Sequence, residues 1–285
     1  MKSNDKLFKY FCLFPTIIYT LLLILLPLLY ILLLSFFQND SYGGIIYNFT
    51  LENYFMIFDI TYVKIFFKSC IIALISTFLC ICISYPFSIF LKEKNEKVKN
   101  LCIKFVMIPF LTNSLIRTYG WIVLLRKNGI INSGLLSLGL IDKPLSLMYN
   151  NFGIVIGMTY TLLPFMILPL SSAVFKVDNS LIEAAKDLGA GPIRIFKEII
   201  LPETLSGVFN GSLMVFIPAI GYFFIADILG GGKAMIIGNL IKNQFLTARN
   251  WPFGAAISIF LIIVTFVLVQ IYKKLGGKLD DLGGV

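Results

Sequence analysis

Side chains that make or break bonds are scarce in this 285-residue chain. It contains no histidine, so the commonest general base and metal ligand is missing. The five cysteines, Cys12, Cys70, Cys80, Cys82 and Cys102, lie in or beside long apolar runs and form neither a disulfide framework nor a zinc-ligand spacing. Gly230-Gly231-Gly232-Lys233 is followed by Ala234, where a phosphate-cradling loop requires Ser or Thr. The chain is therefore expected to have no catalytic residue, to hold no metal and to bind no cofactor of its own.

What remains is charge recognition. Asp227 is the one acid within or at the end of an apolar run, and it follows Tyr222, Phe223 and Phe224. An ionisable group at membrane depth marks a functional site by default. A carboxylate beside aromatic faces attracts an ammonium by Coulomb and cation–π forces. Two readings stand side by side: Asp227 as a ligand for a cationic substrate, or as the partner of Arg117 in a structural ion pair. Tyr119, Trp121, Tyr160, Tyr222 and Phe223 are candidates to line the passage, although aromatics also fill interfacial belts. Asn113, Ser114 and Asn210 are expected to bond between helices.

These residues are carried by apolar elements. Some 58% of positions are hydrophobic and 14% charged, against roughly 25% charged in soluble domains, which excludes a soluble enzyme. No charge interrupts Tyr10–Asn39, Ser69–Leu91, Pro144–Phe175, Thr204–Ala226 or Asn250–Tyr272. Each run exceeds the about 20 residues that cross a hydrocarbon core. A sixth span, about Phe105–Leu125, carries Arg117, whose cost of roughly 2.5–3.5 kcal/mol is offset by its apolar neighbours. The fold class expected is an all-α polytopic membrane protein with six transmembrane helices. The net charge of +9 does not indicate nucleic acid, because the basic residues sort by side of the bilayer: 15 Lys and Arg on the side of both termini and 8 on the other. That bias places both termini in the cytoplasm. The first apolar run is too long for a signal peptide and reads as an anchor. Gly153-x-x-x-Gly157 and Gly207-x-x-x-Gly211 have the spacing for close helix approach, weak motifs in a chain with 22 glycines. The outer segment Arg126–Asn151 carries turn signals, among them Asn128-Gly129 and Asn132-Ser133-Gly134.

Between spans four and five, Asp178–Pro202 is a cytoplasmic segment. Ser180-Leu181-Ile182-Glu183 reads as a capping box that starts a helix. Gly189 suits its left-handed end, and Gly191-Pro192 restarts a second helix. The exposed mixture of Lys186, Asp187, Arg194, Lys197 and Glu198 with Ile182, Leu188, Ile193 and Phe196 suits a docking surface.

Glu183-Ala184-Ala185, three residues, Gly189, nine residues, Ile199, one residue and Leu201-Pro202 resembles, at every named position, the EAA loop of type I ABC importer permeases. Arg117-Thr118-Tyr119-Gly120-Trp121, Leu163-Pro164-Phe165-Met166, Ala226-Asp227-Ile228-Leu229-Gly230-Gly231 and Trp251-Pro252-Phe253-Gly254-Ala255-Ala256 are similar to the first permease subunit of spermidine/putrescine importers. The resemblance implies a bacterial inner-membrane permease with a core from about Phe66 to Tyr272, preceded by an N-terminal tail, first helix and outer segment and followed by a cytoplasmic tail from 273. It further implies that Glu183, Ala184, Ala185 and Gly189 form a coupling helix on an ATPase. The implied partners are two ATPase subunits that hold the ATP and Mg, a second and different permease subunit, an extracytoplasmic binding protein and membrane lipid. Competing readings are a permease for a metal chelate, thiamine or an anion, a secondary transporter, and a membrane enzyme. The EAA loop has no purpose in a secondary transporter, and with no His and few membrane acids no constellation of nucleophile, base or metal ligands assembles for an enzyme.

Overall fold

The computed structural model describes residues 13–40, 43–232 and 234–274. Cys12 and Lys233, named above, lie outside them, as do Lys2, Lys6, Lys9 and Lys278 of the 15 basic residues counted on the side of the termini, the side chain of Lys273 and the tail from 275. The chain divides into two compact units: Met1–Val63 with Leu240–Val264, and Lys64–Asn239 with Thr265–Val285.

The first unit begins with α1, Leu13–Leu34, apolar on every side and only 6% buried. At Leu21–Leu25 it widens to a π turn, the Leu26 amide bonding to the Leu21 carbonyl. The widening falls just before Pro27, whose ring and missing donor disturb a regular helix. A short antiparallel hairpin, β1 (Gln38–Asn39) and β2 (Ile45–Ile46), pairs Gln38 with Ile46. It is followed by α2, Glu52–Ile57, whose buried Asn53 donates to the carbonyls of Ser35 and Phe37 at 3.0 and 2.8 Å.

The second unit is organised around one helix. The elements are α3 (Ile60–Lys92), α4 (Glu96–Leu111), α5 (Ser114–Leu125), α6 (Ile130–Ser137) and α7 (Asn151–Lys176). After them come α8 (Asn179–Asp187), α9 (Pro192–Glu203, with a π turn at Phe196–Ile200), α10 (Leu205–Gly221) and α11 (Phe223–Gly230). The chain continues with α12 (Ile237–Leu246) and α13 (Trp251–Lys274), whose residues divide between the two units: Leu240–Leu246 and Trp251–Val264 belong to the first. Among the described residues α1, α3, α7 and α13 are by length and composition able to cross a membrane, four helices, or up to six spans if each of two bent helix pairs is one span.

Contacts with α7 fix the direction of its neighbours. Cys80 Sγ reaches the Thr159 carbonyl at 3.5 Å, Ser88 Oγ meets Ser171 Oγ at 2.8 Å, and Lys92 Nζ meets the Val174 carbonyl at 3.3 Å. Both numberings rise together, so α3 and α7 are parallel. The residues between them must then traverse the bundle once. They do so antiparallel to α7: Lys99 lies over Phe175, Phe110 meets Phe165, and Trp121 meets Tyr160. This third crossing is not the single helix expected. It bends by 95° between α4 and the stretch Ser114–Ser137 that α5 opens. Pro109 weakens the last turn of α4, and Asn113 caps α5 by accepting from the Leu115 amide at 2.8 Å. Asn113 is thus a helix cap rather than an interhelical bond. Asn132, expected in a turn, lies in α6. It is fully buried and ties Arg126 to Leu145.

On the other side, α10 and α11 run antiparallel to α7 through glycines. A Cβ on Gly207 would stand 2.5 Å from Ala173 Cβ and 2.9 Å from the Pro169 carbonyl oxygen, and one on Gly211 2.5 Å from Met166 Sδ. A Cβ on Gly157 would stand 2.5 Å from Leu229 Cδ1 and 3.0 Å from Ile225 Cγ2. Both small-residue pairs are therefore real sites of close helix approach. Asn210 accepts from the Tyr272 hydroxyl, linking α10 to α13 as expected of it. Ser114 Oγ is buried without a partner.

Gly207→Ala should lower the thermal stability of the purified protein by about 1–3 kcal/mol, because its obstacles are a backbone oxygen and a Cβ that cannot swing away. Gly120 lies in α5 with nothing within 4 Å of an added Cβ, so Gly120→Ala should leave the melting temperature unchanged or raise it.

Candidate functional site

The segment between α7 and α10 is built as a helix, a bend and a helix, with a different start from the one anticipated. The cap of α8 is Asp178, whose Oδ1 accepts from the Ser180 amide at 2.9 Å. The Asp178 carboxyl is held below its ordinary range first by that hydrogen bond and, to a smaller degree, by the charge of Lys92. The capping box is not formed. With Asp178 ahead of them, Ser180 and Glu183 fall inside the helix, and the Ser180 amide is already taken. The Glu183 carboxylate is thereby released from any capping task.

The end of α8 follows from Gly189, at φ +79°. The Gly189 amide donates to Lys186 O and the Ala190 amide to Ala185 O, each at 2.9 Å. These two bonds make a Schellman motif, which satisfies the last carbonyls within the segment itself. Pro192 then opens α9 at its first turn, as the sequence indicates. The faces of α8 are distinct. Ile182 and Ala185 pack on a core of Tyr85, Leu170, Val174, Ile195 and Ile200, whereas Glu183, Ala184, Lys186 and Gly189 are exposed. Ala185, anticipated on the docking face, is partly buried against that core. Leu188 is 88% exposed and Ile193 72%, an apolar pair on either side of the bend.

Asp227 lies in α11, half-buried. The buried Asn239 donates to Asp227 Oδ1 at 2.5 Å and to the Phe223 carbonyl at 2.9 Å. Asn239 Oδ1 in turn accepts from the Ile236 amide at 3.3 Å. One side chain thus fixes the carboxylate and the first turn of α11, just after the break at Tyr222, which sits at φ −78° and ψ 65°. Tyr222 packs on Phe224 at 4.8 Å, and Phe223 meets the same ring at 6.2 Å.

The ion pair between Arg117 and Asp227 is not formed among the described residues. The Arg117 guanidinium stands 5.7 Å from the Phe110 ring centre and 6.0 Å from that of Tyr160, and its Nε is buried without a hydrogen-bond partner. Aromatic faces take the place of the carboxylate, which Asn239 engages. The anticipated aromatics separate accordingly. Trp121 and Tyr160 meet at 5.3 Å beside Arg117, Tyr222 and Phe223 flank the start of α11, and Tyr119 is 58% exposed. Sequence reasoning missed Asn239. Its signal was a lone amide in the apolar stretch Ile236-Ile237-Gly238-Asn239-Leu240.

A bundle crossed repeatedly by apolar helices, with a finished helix–bend–helix between two of them, is the architecture of a membrane permease. The chain belongs to the family described as binding-protein-dependent transport system inner membrane component, which matches residues 5–280. It is 41% identical over 286 residues, 99% of each chain, to the spermidine/putrescine transport system permease protein PotB of Salmonella typhimurium. To the protein of the same name in Escherichia coli it is 43% identical over 253 residues, 89% of this chain and 92% of that one. Among solved structures, a chain of a bacterial alginate ABC transporter in complex with an alginate pentasaccharide-bound periplasmic protein superposes with a TM-score of 0.76 at 16% identity, over 95% of this chain and 94% of that one. That likeness concerns the fold.

Asn239→Leu leaves the Phe223 carbonyl without its side-chain donor and removes a buried bond to Asp227. Thermal unfolding should register a loss of about 1–3 kcal/mol, and a melting temperature equal to the parent's would show that Asn239 holds nothing.

Proposed function

We propose that this chain is the transmembrane permease subunit of an ATP-driven ABC importer that brings spermidine or putrescine into the cell. Identity above 40% to spermidine/putrescine permeases, along nearly the whole chain, is the observation that carries the substrate. The chain conducts no bond chemistry. It works with two ATPase subunits, where ATP and Mg reside, a second permease chain and an extracytoplasmic binding protein. Both termini face the cytoplasm, in keeping with the excess of Lys and Arg on that side.

Coupling proceeds through α8 and the bend after it. Glu183, Ala184 and Gly189 present the ATPase-facing surface, and the exposed Leu188 supplies an apolar knob for a complementary pocket. Nucleotide-driven closure of the ATPases moves this element, the bundle opens outward, and a cation released by the binding protein enters. Within the bundle Asp227, whose Oδ1 accepts from Asn239, is the carboxylate that attracts the cation, with Tyr222 and Phe223 at the start of the same helix. Tyr160, Trp121 and Tyr119 are the further aromatic residues of the passage.

Two measurements test this reading. Glu183→Ala and Leu188→Asp should each reduce spermidine uptake into proteoliposomes containing the whole complex by at least about tenfold, with membrane abundance preserved. Leu188→Asp should also release the ATPase on purification. Undiminished uptake per molecule would remove the coupling role. Asp227→Asn should abolish uptake while the complex still assembles, and unaltered uptake kinetics would remove the carboxylate from the pathway.

A further inference from the structure

The cytoplasmic half of α3 carries a stripe of polar side chains that neither the spans nor the coupling motif explains. Tyr85, Ser88 and Lys92 lie three and four residues apart and so share one face of the helix. Lys92, the last residue of α3, donates from Nζ to the Val177 carbonyl and to the Val174 carbonyl at 3.3 Å. These carbonyls are at the end of α7, where the helix dipole is negative; that of Val174 also accepts from the Val177 amide at 3.3 Å, and that of Val177, the residue after the helix, lies past its last turn. The next residue is Asp178, the cap of α8. One ammonium therefore sits where α7 stops and α8 starts.

Tyr85 occupies the opposite end of the same segment. Its hydroxyl is 2.8 Å from Thr204 Oγ1. Thr204 Oγ1 gives its own proton to the Ile200 carbonyl at 2.6 Å, so Tyr85 is the donor. Thr204 is fully buried at the junction where α9 gives way to α10 at an angle of 70°. The Tyr85 ring also meets Phe196 edge-on at 5.1 Å. Between the two, Ser88 joins Ser171 of α7. Tyr85 and Lys92 also line a groove of about 940 Å³ between α3 and the segment, together with Pro86, Ile89, Ile182 and Leu201; between the two polar ends the contact is apolar, Ile89 of α3 packing on the same core as Ile182 and Ala185.

We infer that α3 clamps the segment 178–204 at both of its roots, through Lys92 at the entry and Tyr85 at the exit, so that α3, the end of α7 and the coupling element move as one lever. Lys92 and Tyr85 are positioning residues for coupling; neither meets substrate or nucleotide. The inference rests on the reading of α8 as the ATPase-facing element.

The test is the ratio of spermidine imported to ATP hydrolysed by the intact complex in proteoliposomes. Lys92→Met keeps the length and apolar stem but removes the charge-assisted bonds, and should lower that ratio by at least about tenfold while ATP hydrolysis continues. Lys92→Arg, which retains the cation, should restore most of it. Tyr85→Phe keeps the packing on Phe196, loses the hydroxyl, and should lower the ratio by about fivefold. A role in folding alone would reduce uptake and hydrolysis in proportion, and that result, or no change, overturns the clamp. If Glu183→Ala and Leu188→Asp uncouple the complex while Lys92→Met does not, the clamp fails alone; if those two are also without effect, the coupling reading fails with it. Should Lys92→Met not reach the membrane, Ser88→Cys with Ser171→Cys decides the matter. Oxidation to a cross-link confirmed by mass spectrometry should leave uptake intact if α3 and α7 move together, and loss of uptake that reduction restores would show that they slide.

Discussion

Close approach to α7 is the constraint on which the rest of the second unit depends. In a bilayer the lipid tails are as apolar as the side chains, so helices gain little by hiding leucines from each other and associate through tight van der Waals packing and interhelical hydrogen bonds. The α7 helix meets both demands. Its own Gly157 admits Leu229 and Ile225 of α11, while Gly207 and Gly211 of α10 let α7 come within reach of the backbone. Parallel α3 engages it through Cys80, Ser88 and Lys92. The other helices take their position from these contacts, which explains how a span bent by 95° still follows α7 from Phe175 to Tyr160.

Polar groups inside such a bundle are costly unless paired, and the pairs found here fall at mechanical junctions. Asn239 holds the start of α11, Thr204 marks the corner between α9 and α10, and Lys92 covers the end of α7. Asn210 joins α10 to α13 through Tyr272. Each of these bonds ties a point where a helix ends, bends or crosses another, so the polar side chains secure places that apolar packing alone leaves loose.

Much of this was legible because its cause is local. Runs free of charge mark the spans, since the cost of a charge in hydrocarbon applies wherever the helix packs. Gly189 and Pro192 mark a turn and a restart through backbone geometry, which the chain carries with it. The features that escaped depend on competition or on distance. Ser180 and Glu183 satisfy the capping pattern, but Asp178 two residues earlier reaches the amide first. Asn113 looks like a polar group within a span, and only the geometry around Pro109 makes it a cap. Arg117 and Asp227 carry opposite charges on neighbouring elements, yet rings engage one and an amide the other. Lys92 counts as one more loop cation until α7 ends beside it.

The Schellman turn at Gly189 has a consequence for how such a complex is made. Because the carbonyls of Ala185 and Lys186 find their donors in Ala190 and Gly189, α8 is closed at its end by its own chain. A segment left open there would have to be ordered by its partner, at about 1–2 kcal/mol for each residue fixed. This one is complete as soon as the chain has folded in the bilayer. The permease can therefore be inserted and wait for its partner subunits, or part from them and meet them again, without the element unravelling.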